Sequence, residues 1–484
     1  SLRMLTRAEE CAAFVPYEPA GLFSPVQATS AVGTSGTEGE SYQYYVDYWQ
    51  RQSLEPGRVV LIAMPNCPDL MYMFFAVLNS GFVPALIPPL TPAERILQML
   101  EDFAAGALVR TPVQPGRWQE LGVSAAEPLG RWQVGKCRDG GPVQTQPGQV
   151  VIATSGTSSS FSSGCVHHFD SLRRNALRHA KSIGMSASDR VLISLPMCYS
   201  TALVAQMIAA LETGCEIVIS GPPFSVPHYL DDLQRYGVTL SSLTPVLLRQ
   251  LNAWETTLPP VLNKLTIGGD LAAPNEVEAF LLRQPWLELY LTYGISEAGP
   301  RVSTCPAHLL RRGYYASAGR PIDQTDVRIL PGADGQDGQG ELLISSDTLL
   351  VKRIGRGNRQ TFIELDGKRW LRTGDIFFQD ADGFLFFKGR ISDFIVIRDE
   401  KVNIGAVKQL CREIKGVMTC KTQIVNEGDQ IAGFDIVLTC DESVINETNC
   451  QQHSASLLKK LKRHERPRNI NFVYCGAASL TQYK

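Results

Sequence analysis

From residue 58 onward, short apolar runs suited to buried strands alternate with helix-length segments. The runs 59–63 and 82–87 flank a helical stretch at 68–79. The same alternation returns at 149–153, 191–195, 216–220, 239–243 and 264–267, with helix-length segments at 171–183, 202–213 and 246–253. Strand–helix–strand repetition predicts largely parallel sheets covered by helices, an α/β architecture. After about residue 317 the pattern changes to short strand-like runs at 327–330, 341–344, 369–371 and 384–387, separated by Gly and Asp. That predicts a smaller β-rich unit. Residues 391–484 alternate again, with a helix at 404–414 and a strand at 430–438, and have the size of a small independent domain. The first forty or so residues are poorly patterned, and 28–40 read as a Ser-, Thr- and Gly-rich loop.

Composition narrows the function classes. The 484 residues are 44% apolar, enough for a sizeable core, and the formal net charge is −2. Near-neutrality argues against a broad nucleic-acid or anionic-membrane footprint. No apolar run approaches the ~20 residues of a membrane span, and no basic segment followed by an apolar one opens the sequence. The twelve cysteines are scattered without a Cys-x-x-Cys pair, which reads as free thiols in a reducing compartment, so a cytoplasmic location is expected.

Four short motifs carry candidate chemistry. A run of small residues at 153–164 contains Thr154, Ser155, Gly156, Thr157 and Ser158 after a strand-like run and before a helix. Backbone N–H groups and hydroxyls there suit phosphate oxygens, although composition alone slightly favours a flexible Ser-rich linker. The second motif is Tyr293-Gly294-Ile295-Ser296-Glu297. Its ring can lie against a flat heterocycle, its hydroxyl can reach a phosphate, and its carboxylate suits Mg²⁺, a hard cation. In the third, Arg372-Thr373-Gly374-Asp375, a turn-held Asp can accept from both hydroxyls of a ribose; an ordinary turn is the alternative. The fourth, Lys388-Gly389-Arg390-Ile391-Ser392-Asp393, pairs a bidentate cation with a flexible glycine, which suits a hinge.

With Gly268-Gly269-Asp270 and Gly340-Glu341-Leu342, these motifs resemble, in order and spacing, the set of the adenylate-forming superfamily of acyl- and aryl-CoA synthetases, peptide-synthetase adenylation domains and luciferases. The resemblance implies a large N-terminal domain (1–390) of two parallel-type αβ-layered subdomains plus a β-rich subdomain, and a mobile α+β C-terminal lid (391–484). It implies ATP and Mg²⁺, activation of a small carboxylic acid as acyl-AMP, and transfer to a phosphopantetheine thiol of CoA or of a separate acyl or peptidyl carrier protein. By matching position, 154–164 would cradle the β- and γ-phosphates. Gly268, Gly269, Asp270, Tyr293 and Gly294 would line the adenine pocket, Ser296 would touch the α-phosphate, and Glu297 would hold the metal. Asp375 would bind the ribose with Arg390 nearby. Ser392 would be the hinge, and Lys484 the catalytic lysine. Tyr199, Ser200, Thr201, Leu203, Gly268 and Gly294 would line the acid pocket.

The sequence departs from that pattern in four places. The loop ends Ser162-Ser163-Gly164, one residue longer than usual and without its lysine. Cys198 replaces a histidine in Leu195-Pro196-Met197-Cys198-Tyr199-Ser200-Thr201 and reads as a packing residue. Asp399 replaces a glycine near the expected thiol tunnel. The terminal motif is Leu480-Thr481-Gln482-Tyr483-Lys484 in place of one ending Gly-Lys. No carboxylate stands among Tyr199, Ser200 and Thr201 to pair with an α-ammonium, which favours an acyl or aryl acid over an α-amino acid. Likeness at Glu297–Ser303 to a subgroup of stand-alone ligases points to a biosynthetic, natural-product setting. The alternative these departures leave open is a relative that binds nucleotide without full turnover.

Overall fold

The computed structural model describes residues 14–28, 41–123, 125–137, 140–155, 162–221, 224–332, 338–355 and 361–476. Two large sheets dominate. The first has eight strands among the described residues, with Val83–Leu86, Val59–Ala63 and Ala105–Arg110 parallel at its centre and antiparallel strands at both edges. Val59–Ala63 is buried along its whole length, as a strand covered on both faces must be. The helix Pro68–Asn79 covers one face. Its proline stands in the first turn, where a missing N–H costs nothing, and it inserts Phe74 and Phe75 into the main core. Each ring, fully buried, contributes on the order of 2 kcal/mol of apolar transfer energy.

The second sheet contains thirteen strands among the described residues. Its parallel half runs through Glu216–Ile219, Arg190–Ile193, Leu240–Leu243, Lys264–Ile267 and Glu288–Gly294. The β-rich region forms its antiparallel half. The ladder continues without a break through Arg301–Pro306 and Ser317–Pro321 to Leu385–Arg390 and Lys368–Gln379. The β-rich unit is therefore joined edge to edge with the second αβ layer, a continuity that local patterning does not reveal.

Beyond Arg390 the turn Ile391–Asp393 leads to a small α+β unit. Its three-stranded sheet and the helices Ile404–Arg412 and Cys450–Lys459 enclose a separate core around Phe434, Ile436, Val407 and Leu457. Among the described residues no helix is long and apolar enough to cross a membrane.

Candidate functional site

Parallel strands present their carboxyl ends to ligands, because the loops that follow them converge there. Here Lys264–Ile267 and Glu288–Gly294 lie side by side and end together. Gly269 and Asp270 follow the first, while Tyr293 and Gly294 close the second, and all four line one cleft of about 770 Å³. Gly294 is obligatory: a Cβ there would stand 2.5 Å from the Pro300 carbonyl oxygen.

Asp375 and Arg390 form the next wall, directly opposite one another on neighbouring antiparallel strands. Asp375 is buried, and its N–H donates to Thr373 Oγ1 at 3.0 Å. Tyr293 donates its hydroxyl to Asp375 Oδ2, and Arg390 Nε lies 3.7 Å from Oδ1. Burial and this carboxylate push the Tyr293 phenol well above its ordinary value, so the ring stays protonated as the donor. The predicted ribose acceptor and the predicted adenine-side ring are thus one hydrogen-bonded pair, a contact that the sequence spacing of 82 residues conceals.

The small unit supplies the remaining wall. Asn403 caps the helix Ile404–Arg412 by accepting from Ala406 N, and Gly405, Ala406 and Lys408 face the cleft. Arg412 lies 3.1 Å from the Asp270 carboxylate, and its carbonyl accepts from Arg249 Nη2. Asp270 is therefore both cleft lining and interdomain ion pair. Ser392, the expected hinge, is exposed in the turn Ile391–Asp393. The adjacent Asp393, which closes the fourth motif but was given no role there, holds that turn: its Oδ2 accepts from Arg390 N at 3.1 Å and its Oδ1 pairs with Lys408 Nζ at 3.2 Å. Arg398 and Asp399, with φ of +49° and +65°, form the two-residue connection between Phe394–Ile397 and Glu400–Asn403. A glycine suits that conformation, and Asp is among the side chains that tolerate it, which accommodates the departure at 399.

Ser296 and Glu297 lie on a short turn beyond Gly294. Glu297 Oε1 is 3.3 Å from Arg353 Nη2, and Arg353 Nε donates to Thr361 Oγ1 at 3.1 Å. Arg353 was not singled out in the sequence; it lies opposite Cys165 in the ladder. His167, fully buried, donates from Nε2 to the Ser296 carbonyl at 2.7 Å, while its Nδ1 has no partner among the described residues.

Burial drives the His167 pKa down to about 4, so the ring is neutral at pH 7. Because the folded-state value lies below the unfolded one, the stabilisation is complete above about pH 6.5. It is lost as pH falls toward about 4, with up to about 3 kcal/mol at stake. Denaturant titrations at about pH 7.5 and about pH 5 are expected to show that loss, and His167→Gln, which keeps a donor and cannot titrate, is expected to flatten it.

The small-residue motif departs from its expected setting. Strand Gln149–Ser155 returns through Ser162–His168 in an antiparallel hairpin, and the helix begins only at Phe169. Short polar residues at 162–164 hid that second strand, whose Cys165, Val166 and His167 are buried. Thr154 and Ser155 end the first strand, and the hydroxyls of Thr154 and Ser163 share a hydrogen bond at 2.6 Å across the ladder. Gly156, Thr157 and Ser158 lie outside the described residues, as does Lys484.

Of the predicted acid-pocket residues Gly294 lines the cleft, and Tyr199, Ser200, Thr201, Leu203 and Gly268 are not among its lining residues. The expected helix 202–213 is instead a wide π-helical segment, Thr201–Ile208, continuing as an α-helix through Ala209–Thr213. Leu203 and Cys198 are packed in the main core, Tyr199 packs against it half-buried, and Ser200 is half-buried at the start of the turn. Thr201 Oγ1 accepts from Arg301 Nη2 at 3.3 Å. The same guanidinium lies against Gly268 and Gly294, linking three of the six predicted pocket positions. Among the described residues no three His, Cys, Asp or Glu side chains cluster as a metal cage.

The likeness to known proteins agrees with this geometry. Residues 49–351 match the family model described as AMP-binding enzyme. The chain is 27% identical over 397 residues to the 2-succinylbenzoate–CoA ligase of Bacillus pumilus, covering 79% of this chain and 76% of that protein. It is 25% identical over 333 residues to the indoleacetate–CoA ligase of Aromatoleum aromaticum, covering 67% of this chain and 63% of that one. The fold is shared with O-succinylbenzoate coenzyme A synthetase from Bacillus subtilis in complex with AMP, at a TM-score of 0.73 and 18% identity over 94% of this chain and 95% of that one. With more than half of its length matched by the family model, the chain belongs to the AMP-binding enzyme family.

Proposed function

We propose that this protein activates a carboxylic acid with ATP as an acyl-adenylate and passes the acyl group to a thiol, with the cleft between the large and small units as its active site. The observation that supports this most strongly is the convergence of Gly269, Asp270, Tyr293, Gly294, Asp375 and Arg390, separated by up to 121 positions in the sequence, on one cleft. The adenine lies against Tyr293 and the glycines. Asp375, oriented by Tyr293, accepts from the ribose hydroxyls while Arg390 reaches the ribose and phosphate oxygens. Ser296 donates to the α-phosphate. Glu297 is a single hard oxygen ligand, which fits Mg²⁺ because that ion takes one or two carboxylates and completes its shell with phosphates and water. Held there by Glu297, Mg²⁺ would supply positive charge against that developing on the pyrophosphate.

Arg353 supplies the cation that the small-residue loop lacks. It sits within ion-pair distance of Glu297. Arg353→Met is expected to raise the KM for ATP about tenfold, a typical loss for one charge-assisted contact, with intact folding checked by the thermal midpoint; an unchanged KM removes Arg353 from the phosphate site.

Residues 391–484 act as the lid. We assign the orientation with helix Ile404–Arg412 against the cleft, in which Asn403, Gly405 and Ala406 line it, to the step that admits the thiol. Rotation about the turn at 391–393, released from the Asp393–Lys408 and Arg412–Asp270 pairs, brings Lys484 to the reacting carboxylate. The reaction suits a cytoplasmic ligase of a biosynthetic pathway, and CoA is the acceptor favoured by the names of the relatives. Incubation with acid, Mg-ATP and either CoA or a phosphopantetheinylated carrier protein tests the second step. Acyl-CoA as the product supports the assignment. Acylation confined to the carrier changes the acceptor, and adenylate that no thiol consumes contradicts the ligase reading.

A further inference from the structure

Arg301 is 3% exposed, and no carboxylate lies within ion-pair distance of it among the described residues. Its Nε has no hydrogen-bond partner, and its side chain is held by one long bond, from Nη2 to Thr201 Oγ1 at 3.3 Å. The backbone is fixed by contrast: Arg301 N donates to Asn175 Oδ1 and Arg301 O accepts from Asn175 Nδ2, both at 2.9 Å. The guanidinium is thus carried on a rigid strand to a place where nothing described neutralises it. Burial lowers its pKa to about 10, which still leaves it a cation at neutral pH. The other titratable group facing it, His179, is buried and its pKa is pushed down by burial and by Arg301 itself, so it is neutral there and supplies no counter-charge.

The location gives this unpaired cation a meaning. A Cβ on Gly268 would stand 3.3 Å from Nη2, and one on Gly294 would stand 3.2 Å from Nη1. Gly294 lines the nucleotide cleft, and Gly268 stands between Ile267 and Gly269, which also line it, so the guanidinium lies directly behind this wall at two positions where no side chain covers it. A buried cation without a partner is costly, and that cost is recovered when a ligand brings the anion. An α-ammonium here would face a like charge.

Resting on the ligase reading above, we infer that the acid this enzyme activates is a short one bearing a second anionic group, such as a dicarboxylic acid, and that Arg301 pairs with that second group. Guanidinium and carboxylate match bidentately, and a site built to pair a charged group discriminates strongly against an analogue that lacks it. Because Arg301 lies directly behind Gly294, which lines the cleft, the two acidic groups are separated by only a few carbons.

The test is ATP–pyrophosphate exchange with length-matched pairs, malonate, succinate and glutarate against monocarboxylates in which a methyl replaces the distal carboxylate. The wild type is expected to favour a dicarboxylate by about 100-fold in kcat/KM. Arg301→Gln is expected to lose about 100-fold on that acid and to change by less than about threefold on its methyl partner, with Arg301→Lys recovering part of the loss. The wild-type comparison needs no variant to fold. Exchange that is as good with monocarboxylates overturns the inference and leaves the ligase reading standing. A uniform loss on both acids in folded Arg301→Gln also overturns it, by assigning Arg301 to the reacting carboxylate. Absence of exchange with every acid overturns both.

Discussion

Asp375→Ala is expected to weaken ATP binding and slow adenylation by roughly 100-fold or more. Two hydroxyls of the ribose lose a charged acceptor, and hydrogen bonds to charged groups are worth about 1.5–3 kcal/mol each. The carboxylate is pre-positioned for them, with its own N–H tied to Thr373 Oγ1, Tyr293 fixing Oδ2 and Arg390 beside Oδ1. Removing it also strands the Tyr293 hydroxyl, so part of the effect passes through the adenine wall. Tyr293→Phe isolates that part and is expected to cost about tenfold, one hydrogen bond's worth. Titration calorimetry with ATP measures both; wild-type affinity in Asp375→Ala would take Asp375 out of the nucleotide site.

Lys484→Ala is expected to lower the adenylation rate by about 100- to 1000-fold, the range seen when one preorganised donor to a developing negative charge is removed. Transfer from a supplied acyl-adenylate to the thiol is expected to stay within about threefold of wild type, because the orientation proposed for that step is not the one that brings Lys484 to the reacting carboxylate. The split between half-reactions is the diagnostic. Equal losses in both would mean that the change acts through folding of the small unit, and no loss in either would leave Lys484 without a catalytic role.

Much of this architecture was legible in the sequence because fully buried parallel strands leave an unambiguous trace. The runs at 59–63 and 264–267 and the helix at 68–79 coincide with the observed elements. What was lost follows from the same physics. Ser162–His168 buries Cys165, Val166 and His167, but its Ser-Ser-Gly start resembles a loop. The π-helical widening at Thr201–Ile208 changes no hydrophobic period strongly enough to register. The joining of the β-rich strands to the second αβ layer depends on pairing between Ser317–Pro321 and Leu385–Arg390, which is non-local.

The site divides in the same way. Tyr293, Asp375 and Arg390 could be singled out because short motifs mark them, whereas Arg353, Asp393 and Arg301 were given no role because what they do depends on their partners. Arg353 matters through Glu297, Asp393 through Lys408 and Arg390 N, and Arg301 through the absence of a carboxylate around it. A sequence shows which charges exist; burial and pairing decide which of them are available to a ligand.

The central claim, attack of a carboxylate on the α-phosphorus of ATP, is tested most directly by following an oxygen atom. The best acid from the exchange panel, labelled with heavy oxygen in its reacting carboxylate, is turned over with Mg-ATP and CoA, and the nucleotide and phosphate products are separated and weighed by mass spectrometry. The account predicts that one labelled oxygen appears in AMP, with pyrophosphate unlabelled. Label in inorganic phosphate with ADP as the nucleotide product, or consumption of ATP with no label transferred, would contradict it.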